Sequence, residues 1–345
     1  MPKYVKQHDA KFNKNDEFYT MYDTIENEIS YYSEQFRDKV VYCNCDDPIE
    51  SNFTKYFTNN FIRLGLKKLI STSYNPNENG RGTLYIYDGN IPYVEQLKSN
   101  GDFSKPDCLE LLKGSDIVVT NPPFSKFREF IQTLIDYDKD FIVLGKTEAI
   151  GYKDIFNLIV ENNIRLGSSI TKGDITFQVP DKYPLNTKLG FILDGKKYIK
   201  VTGIRWWTSM HHGNVNYFLE MDSLEENKEH GYVYRKYHNY DALEVKYVKF
   251  IPYDYDGLMG VPLTFLDKFN PDQFEIIGLT SGKLGQSIGV EPMTLEHKQH
   301  LKYLGKTFSN GDVYVVDENS NITTLYKRII IRHKLQYDKY GNPMI

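Results

Sequence analysis

The sequence has little of several features that would place it in a common protein class. It contains 3 cysteines in 345 residues, too few for a disulfide framework, and Cys43 and Cys45 flank a single Asn44, which is not the spacing of a zinc site. No apolar run approaches the length of a membrane span, and the N-terminal stretch lacks the apolar centre of a signal peptide. We therefore expect a reduced, cytoplasmic protein that neither crosses a membrane nor holds a metal ion.

The overall charge does not indicate a general polyanion-binding protein. The chain carries 42 Lys and Arg against 46 Asp and Glu, a formal net charge of −4. The balance changes along the chain, because residues 277–345 hold 9 Lys and Arg against 6 Asp and Glu, which is +3. Any nucleic-acid footprint is therefore expected toward the C-terminus.

The first half of the chain alternates strand-like and helix-like segments. Residues 39–43 and 117–120 have the apolar pattern of buried strands, and residues 51–64 have helical spacing. Residues 92–98 are predicted as a short helix. This alternation predicts an α/β fold with a Rossmann-like, doubly wound sheet.

The second half of the chain has a different sequence pattern. After about residue 162, short β-prone runs separated by Gly, Pro and Asn predominate. We predict one larger domain over residues 1–210 and a smaller β-rich domain over residues 211–345.

A proline-rich corner directly follows the strand predicted at residues 117–120. The sequence continues Asn121-Pro122-Pro123-Phe124, and proline ends a strand because it removes a ladder donor and fixes φ. From Phe127 onward the apolar spacing predicts a helix, with Ser125 at its N-cap. A rigid, polar corner is thus expected at the carboxyl end of a central strand, where open α/β sheets bind ligands.

This corner is suited to chemistry on an amine. The side chain of Asn121 and the main-chain carbonyl of Pro122 could accept the two hydrogens of an exocyclic amine on a base and stabilise the positive charge that develops during methyl transfer. The prolines would fix the orientation, and Phe124 could stack on the base. The alternative interpretation is a plain turn without chemistry.

Further motifs occur in order along nearly the whole chain, and together they resemble the EcoRI-type adenine-specific DNA methyltransferases. They are DEFYT (16–20), VVYCNCDDPIESNF (40–53), GDF (101–103), DIVVTNPPFSKFREF (116–130), GYKDIF (151–156), RWWT (205–208), GVPLTFLDKFNPDQFEIIG (260–278) and LYKRIIIR (325–332). The resemblance implies a site-specific enzyme of restriction-modification that transfers a methyl group from S-adenosylmethionine to N6 of an adenine flipped out of double-stranded DNA. It also implies a target-recognition role for the smaller domain, and we expect a monomer.

The resemblance implies roles for individual residues as well. The implied S-adenosylmethionine contacts are Phe18, Tyr19 and Thr20; Asp46, Asp47 and Pro48; and Asp102 and Phe103. The second group would face the methionine end of the cofactor and the third its adenine, and Asn121, Pro122, Pro123 and Phe124 would carry catalysis.

Two departures from methyltransferases at large bear on the cofactor site. The loop CDDPIES lacks the usual glycines, as it does in the EcoRI-type branch, and STSY (71–74) stands where an acidic residue usually ends the second strand. The ribose partner therefore stays open between Asp46 and Asp47.

The basic residues near the C-terminus are the candidates for DNA contact. Lys327, Arg328 and Arg332 surround a run of three isoleucines. They could bind phosphates, or they could belong to a solvated edge strand whose charges deter aggregation. The C-terminal charge balance favours phosphate contact.

Other functions also fit parts of this pattern. The same tetrapeptide, or its Tyr-ended variant, serves RNA adenine and protein glutamine methyltransferases, although a glutamine methyltransferase would need no DNA-recognition domain. A catalytically inactive DNA-binding module is a further alternative, against which the intact Asn121, Asp102 and Phe18 argue.

Overall fold

The computed structural model describes residues 19–170, 173–181, 183–185, 189–212, 217–317, 321–338 and 342–344, so Phe18 lies outside the described residues. Two compact units are present: the first comprises the chain up to Ala149 together with Asn163–His212, and the second comprises Ile150–Asn162 and the described residues after His212. Every helix in the described ranges is too short or too polar to span a bilayer.

The first unit contains most of the parallel strands. Its strands are β1 (Tyr19–Thr20), β2 (Val40–Cys43), β3 (Lys68–Thr72), β4 (Thr83–Tyr87), β5 (Tyr93–Gln96), β6 (Ile117–Thr120), β7 (Asp140–Lys146), β8 (Arg165–Leu166), β9 (Ile175–Val179), β10 (Gly190–Leu193), β11 (Lys196–Val201) and β12 (Ile204–Thr208). Its α-helices are α1 (Tyr22–Ile29), α2 (Asn52–Asn59), α3 (Phe61–Leu64), α4 (Pro106–Lys113) and α5 (Phe127–Asp136). Short 3-10 segments are Ser30–Phe36 and Phe124–Lys126, and another, Thr147–Gly151, ends in the second unit.

An eight-stranded mixed sheet forms the centre of this unit, in the order β5-β4-β3-β2-β6-β7-β12-β8. The four central strands are parallel and the flanking strands pair antiparallel. The chain runs outward from β2 to β3 and then returns to β6 on the other side of β2. The strand order therefore reverses between β2 and β6, and their adjacent carboxyl ends form the crevice at which such sheets bind ligands.

The central strands form because their residues are apolar on both faces. All residues of β2 and β6 are buried, as expected for parallel strands covered by helices. Trp206 and Trp207 of β12 are both fully buried, and Phe53 of α2 meets Trp206 edge-on with ring centres 6.2 Å apart. The site at the ends of β2 and β6 is therefore built on a rigid, well-packed layer.

A second sheet, in the order β1-β9-β11-β10, carries the start of the described chain. Its pairs are antiparallel, and Thr20 of β1 lies opposite Phe177 of β9. The next helix is anchored by Glu28, whose buried carboxylate accepts from the Tyr32 hydroxyl at 2.8 Å and from the backbone N–H groups of Ser168 and Ser169 at 3.0 and 2.7 Å. These bonds fix α1 against the segment that follows β8.

The second unit has its own elements. Its helices are α6 (Lys153–Val160), α7 (Leu224–Glu229), α8 (Gly282–Ser287) and α9 (Leu295–Tyr303), with 3-10 segments at Val248–Phe250 and Leu263–Asp267. Its strands are β13 (Arg235–Lys236), β14 (Leu243–Glu244), β15 (Met259–Pro262), β16 (Phe274–Leu279), β17 (Tyr314–Val316), β18 (Ile322–Thr324), β19 (Arg328–His333), β20 (Gln336–Tyr337) and β21 (Pro343–Met344). Five of the strands form a sheet in the order β13-β14-β15-β19-β16, and β17-β18 and β20-β21 form two small hairpins.

Two local predictions are wrong. The helix predicted at residues 92–98 is instead the edge strand β5, whose Val94 lies opposite Tyr85 of β4, because pairing with a neighbouring strand overrides a weak local pattern. Ser125 is not an N-cap: it lies inside the 3-10 turn at Phe124–Lys126, and α5 begins at Phe127 without a side-chain cap.

Two loops beside the sheet approach each other so closely that only glycine fits. Gly101 has φ +80°, and a Cβ at this position would lie 2.0 Å from the carbonyl oxygen of Ser73. The neighbouring contact from the backbone N–H of Asn75 to the carbonyl of Asn100, at 2.8 Å, holds the loops together. Gly195 has a similar φ of +76°, but nothing lies within 4 Å of its missing Cβ.

This difference makes the two glycines a matched test. Gly195→Ala should cost about 1–2 kcal/mol of unfolding free energy, the strain of a left-handed residue. Gly101→Ala should cost about 1–3 kcal/mol more, because the methyl group also displaces the Ser73 carbonyl. Equal losses in urea unfolding would mean that the loop carrying Ser73 yields freely.

Candidate active site

The carboxylate of Asp46 connects the ends of the two strands at the switch point. Its Oδ2 accepts from the Thr120 hydroxyl at the end of β6 (2.5 Å), and its Oδ1 accepts from Ser51 Oγ at the start of α2 (2.9 Å). The backbone N–H of Asn121 also donates to this carboxylate. One buried acid thus holds the loop after β2, the first turn of α2 and the first residue of the proline corner.

The main chain of Asp46 adds a third strand end. Its N–H donates to the carbonyl of Thr72 at 3.2 Å, and its carbonyl accepts from Ser71 Oγ at 3.0 Å. The ends of β2, β3 and β6 are therefore bonded to one another through this residue.

Burial makes Asp46 a much weaker acid than an ordinary aspartate. Desolvation raises the pKa of Asp46 to about 7, with Asp47 adding to the rise, while the hydrogen bonds from Thr120, Ser51 and the backbone of Asn121 pull it down. Because Asp46 is only 8% exposed whereas Asp47 is half-buried, Asp46 is the poorer candidate for the ribose partner.

The rest of the loop after β2 closes on itself. Asp47 Oδ1 accepts from the backbone N–H groups of Ile49 and Glu50, at 2.8 and 3.0 Å, and Pro48 between them is buried. The carboxylate of Asp47 therefore caps the turn, and because Asp47 is only half-buried, part of the residue stays accessible to a ligand.

Strand β1 lies beside this loop. The Tyr19 hydroxyl donates to Glu50 Oε2 at 2.8 Å, and Asn52 Nδ2 donates to the carbonyl of Thr20 at 2.8 Å. Thr20 Oγ1 is buried, and no described residue offers it a hydrogen-bond partner. A buried, unsatisfied hydroxyl is costly, and a bound ligand would satisfy it.

Asp102 is held by a cation from the segment after the proline corner. Its Oδ2 lies 2.6 Å from Lys126 Nζ, and its Oδ1 accepts from the backbone N–H and hydroxyl of Ser104 at 3.0 and 2.7 Å. Burial alone would raise the pKa of Asp102, but the bonds from Lys126 and Ser104 outweigh it and lower the pKa. A carboxylate offers about four acceptor positions, so about one remains for a ligand.

Phe103 belongs to the packed interior of the same loop. Its ring is 4% exposed and meets Phe130 edge-on, with ring centres 5.0 Å apart. Lys126 Nζ lies 5.5 Å from the ring centre of Phe103. A contact between Phe103 and the cofactor stays a prediction.

The four residues of the proline corner differ in their exposure to solvent. Pro122 is buried and Pro123 exposed, while Asn121 and Phe124 are half-buried, with Phe124 packed against the main apolar core. The carbonyl of Pro123 accepts from the backbone N–H of Lys126 at 2.9 Å. No donor among the described residues bonds to the carbonyl of Pro122, which leaves that oxygen able to accept from a ligand.

Sequence analysis missed three residues that support this site, namely Ser51, Thr120 and Lys126. Ser51 stands at the N-cap of α2, where its Oγ also accepts from the N–H of Phe53 at 3.0 Å, and a Ser before a helical pattern is a recognisable signal. Thr120 and Lys126 carry no such local signal, because their partners are 74 and 24 residues away.

The basic residues predicted to bind DNA are engaged with other side chains in the second unit. Arg328 is buried, and its Nη2 pairs with Glu244 Oε1 at 3.0 Å; Arg332 pairs with Glu275 at 2.5 Å. Arg328 is therefore held in a buried ion pair, and Lys327, just before β19, is half-buried. Phosphate contact by these three residues stays a prediction. The edge-strand alternative is wrong, because β19 lies between β15 and β16.

Comparison with known proteins identifies the family. The family described as adenine-specific methyltransferase EcoRI matches residues 6–93 and 78–334. The chain belongs to this family. The Type II methyltransferase M.EcoRI of Escherichia coli is 45% identical to it over 295 residues, which cover 80% of this chain and 89% of that protein.

Two mycoplasma proteins are similar over almost as much of the chain. The Type II methyltransferase M.MgeORF184P of Mycoplasma genitalium is 43% identical over 271 residues (78% of this chain, 84% of that protein), and M.MpnI of Mycoplasma pneumoniae is 42% identical over 271 residues (78% and 83%). No solved structure matched. The resemblance noted in the motifs of this EcoRI-type chain is thereby confirmed.

The raised pKa of Asp46 predicts a pH-dependent stability. Between the ordinary pKa of 3.8 and about 7, the folded protein keeps a proton that the unfolded chain releases. The free energy of unfolding should therefore fall as the pH rises through this window and level off above about pH 7. Asp46→Asn should lack this slope in urea unfolding measured from pH 4.5 to 8.

A matched control is Asp116→Asn. Asp116 Oδ2 accepts from the backbone N–H of Val40 at 2.7 Å at the start of the same two strands, but its residue is exposed. This variant should keep the pH slope of the wild type. If the wild type and Asp46→Asn run parallel from pH 4.5 to 8, Asp46 titrates as an ordinary surface acid.

Proposed function

We propose that this chain is a site-specific DNA methyltransferase that uses S-adenosylmethionine to methylate N6 of an adenine flipped out of double-stranded DNA. The observation that carries the proposal is the corner Asn121-Pro122-Pro123-Phe124 at the carboxyl end of β6, held at the switch point of the sheet by Asp46 in a chain of the adenine-specific family. The RNA adenine, protein glutamine and inactive-module alternatives are not favoured by this family membership.

The proposed role of the corner is to accept the hydrogens of the target amine. The lone pair of an exocyclic amine is delocalised into the base, and two aligned acceptors favour a more tetrahedral nitrogen. The Asn121 side chain and the carbonyl of Pro122 would supply them, and their attraction grows as the nitrogen gains positive charge. The fixed φ of proline orients that carbonyl before the base arrives.

The proposed role of Asp46 is to position the proline corner through hydrogen bonds. In its ionised form the carboxylate accepts from the Thr120 hydroxyl, the Ser51 hydroxyl and the N–H of Asn121. It thereby fixes the backbone of the residue whose side chain contacts the amine. We assign Asp46 a positioning role rather than a direct contact with ribose.

The residues around the crevice suit S-adenosylmethionine. When bound, this cofactor supplies a methyl group activated by a positively charged sulfur. Thr20 Oγ1 is a buried hydroxyl without a partner in the described chain. The half-buried Asp47 offers negative charge in the loop after β2, and Asp102 has an acceptor position left for an amino group. Tyr19, Pro48 and Phe103 would shape this site, and Phe18 would complete it.

We assign recognition of the DNA sequence to the second unit, which is larger than the predicted range 211–345 by Ile150–Asn162. Its five-stranded sheet and two hairpins carry long connections that could reach base edges. A monomeric enzyme of restriction-modification is proposed, in keeping with the Type II methyltransferase names of its relatives.

Substitution of Asn121 tests the catalytic corner. Asn121→Ala should lower the rate of methyl transfer by about a hundredfold or more while DNA affinity is largely kept, because the lost acceptor matters most as charge develops. Single-turnover methylation and DNA binding should be measured on the same samples. Ser125→Ala, an exposed position two residues beyond the prolines, is the control and should retain the wild-type rate.

Phe124→Ala should impair base flipping more than methyl transfer, unlike Asn121→Ala. It removes a stacking face worth about 1–3 kcal/mol for an unstacked base, so it should reduce the fluorescence of a flipped 2-aminopurine at the target position and lower the rate less than Asn121→Ala does. A plain turn predicts instead that both variants lose stability and cofactor binding together. An unchanged methylation rate in Asn121→Ala would exclude the proposed corner.

Substitution of Asp102 tests the cofactor site. Asp102→Ala should weaken S-adenosylmethionine binding by about 1–3 kcal/mol through loss of an acceptor, as measured by calorimetry. Lys126→Met removes the partner of Asp102 but keeps the carboxylate, and should weaken binding less. If the two variants lose the same affinity, Asp102 serves only to anchor Lys126.

A further inference from the structure

Helix α9 and the residues around it form a cationic segment of the second unit. Residues 292–311 contain Lys298, Lys302 and Lys306 against a single acid, Glu296, together with His297 and His300. The segment was not singled out by its sequence, because its lysines are spread out and no basic run marks it.

The helix has one buried and one open side. Leu301 is fully buried in a small core with Met293, Tyr314 and Ile322, and His297 Nδ1 lies 2.9 Å from the Tyr314 hydroxyl. These contacts fix the orientation of α9 against the hairpin β17-β18, so its other residues are held outward.

The open side combines lysines with an exposed aromatic ring. Lys302 and Lys306 are exposed and Lys298 half-buried. Tyr303, next to Lys302 in the last turn of the helix, is 88% exposed. Lys298 and Lys302 are four residues apart, so they lie along one face of the helix about 6 Å apart.

None of the three lysines in residues 292–311 has an acidic partner among the described residues. In the described ranges, no carboxylate lies within ion-pair distance of Lys298, Lys302 or Lys306. Three surface lysines elsewhere do pair with acids, at 2.5–3.3 Å: Lys113 with Glu110, Lys228 with Glu225 and Lys236 with Asp241.

A purely structural explanation accounts for part of this arrangement. A lysine in the last turn of a helix interacts favourably with the helix dipole, which fits Lys302. It does not explain Lys298, whose like charge at i,i+4 opposes Lys302, nor Lys306 beyond the helix. An external anion would offset the repulsion.

We propose that Lys298, Lys302, Lys306 and Tyr303 form a contact surface for the DNA backbone. Duplex DNA presents one negative charge per about 1.7 Å of its axis, so lysines spaced along a helix meet phosphates without reading sequence. Tyrosine hydroxyls are common phosphate donors. The proposal rests on the proposed DNA substrate and moves the phosphate contacts away from Arg328 and Arg332, whose charges are already paired.

The test is the salt dependence of DNA binding by the full chain. In the triple variant Lys298→Gln, Lys302→Gln, Lys306→Gln, the slope of log affinity against log salt should flatten by about 0.9 per lost phosphate contact, between 2 and 3 in total. Affinity should fall by similar factors for duplexes with and without the target site. The control triple Lys113→Gln, Lys228→Gln, Lys236→Gln removes the same charge from paired lysines and should change the slope little.

Either an unchanged slope in the α9 variant or an equal change in the control overturns the proposal. Lys306→Gln, outside the helix, gives the same test in a variant that cannot unfold α9, with an expected change of about 0.9. Methylation of DNA by the wild type distinguishes failure of this contact surface from failure of the proposed function. If the wild type methylates DNA and the slope does not move, this surface is wrong; if the wild type does not methylate DNA, the proposed function fails first.

Discussion

The hydrogen bonds to the buried carboxylate of Asp46 are the constraint on which the site depends. Parallel strands are bonded along their length, but nothing in a sheet ties together the loops that leave their carboxyl ends. Asp46 supplies that tie, because it accepts from Thr120 and Ser51 and from the backbone of Asn121. Burying a carboxylate is costly, and three donors offset the cost only while all are present. The geometry of the proline corner therefore depends on a residue in the loop after the neighbouring strand β2.

The same loop explains how the site works without a glycine-rich turn. Glycine-rich turns point backbone N–H groups at a phosphate. In this chain the N–H groups of Ile49 and Glu50 are consumed by Asp47 Oδ1, and the adjacent acid is Asp46. This loop therefore offers a ligand the half-buried carboxylate of Asp47 rather than free N–H groups. Such a carboxylate disfavours a phosphate and suits the cationic sulfonium of the proposed cofactor.

Local patterns predicted what depends on local physics. The strand at residues 117–120, its end at Asn121 and the helical spacing that follows are all found, since apolar runs and prolines act where they stand. Ser125 as a cap and the helix at residues 92–98 were wrong, because a 3-10 turn and a strand partner decided those positions. The contacts of Asp46 with Thr120 and of Asp102 with Lys126 span 74 and 24 residues, and no periodicity encodes them.

The sequence also does not show which charged residues remain unpaired after folding. The sequence counts Arg328, Arg332 and the lysines of α9 alike, and their sum gives the positive balance of residues 277–345. Folding separates them, because Arg328 and Arg332 meet Glu244 and Glu275, which lie 84 and 57 positions away. A paired, buried charge contributes almost nothing to counterion release, whereas an unpaired, exposed one contributes fully. In an enzyme whose net charge is −4, attraction to DNA must come from the cations that folding leaves unpaired.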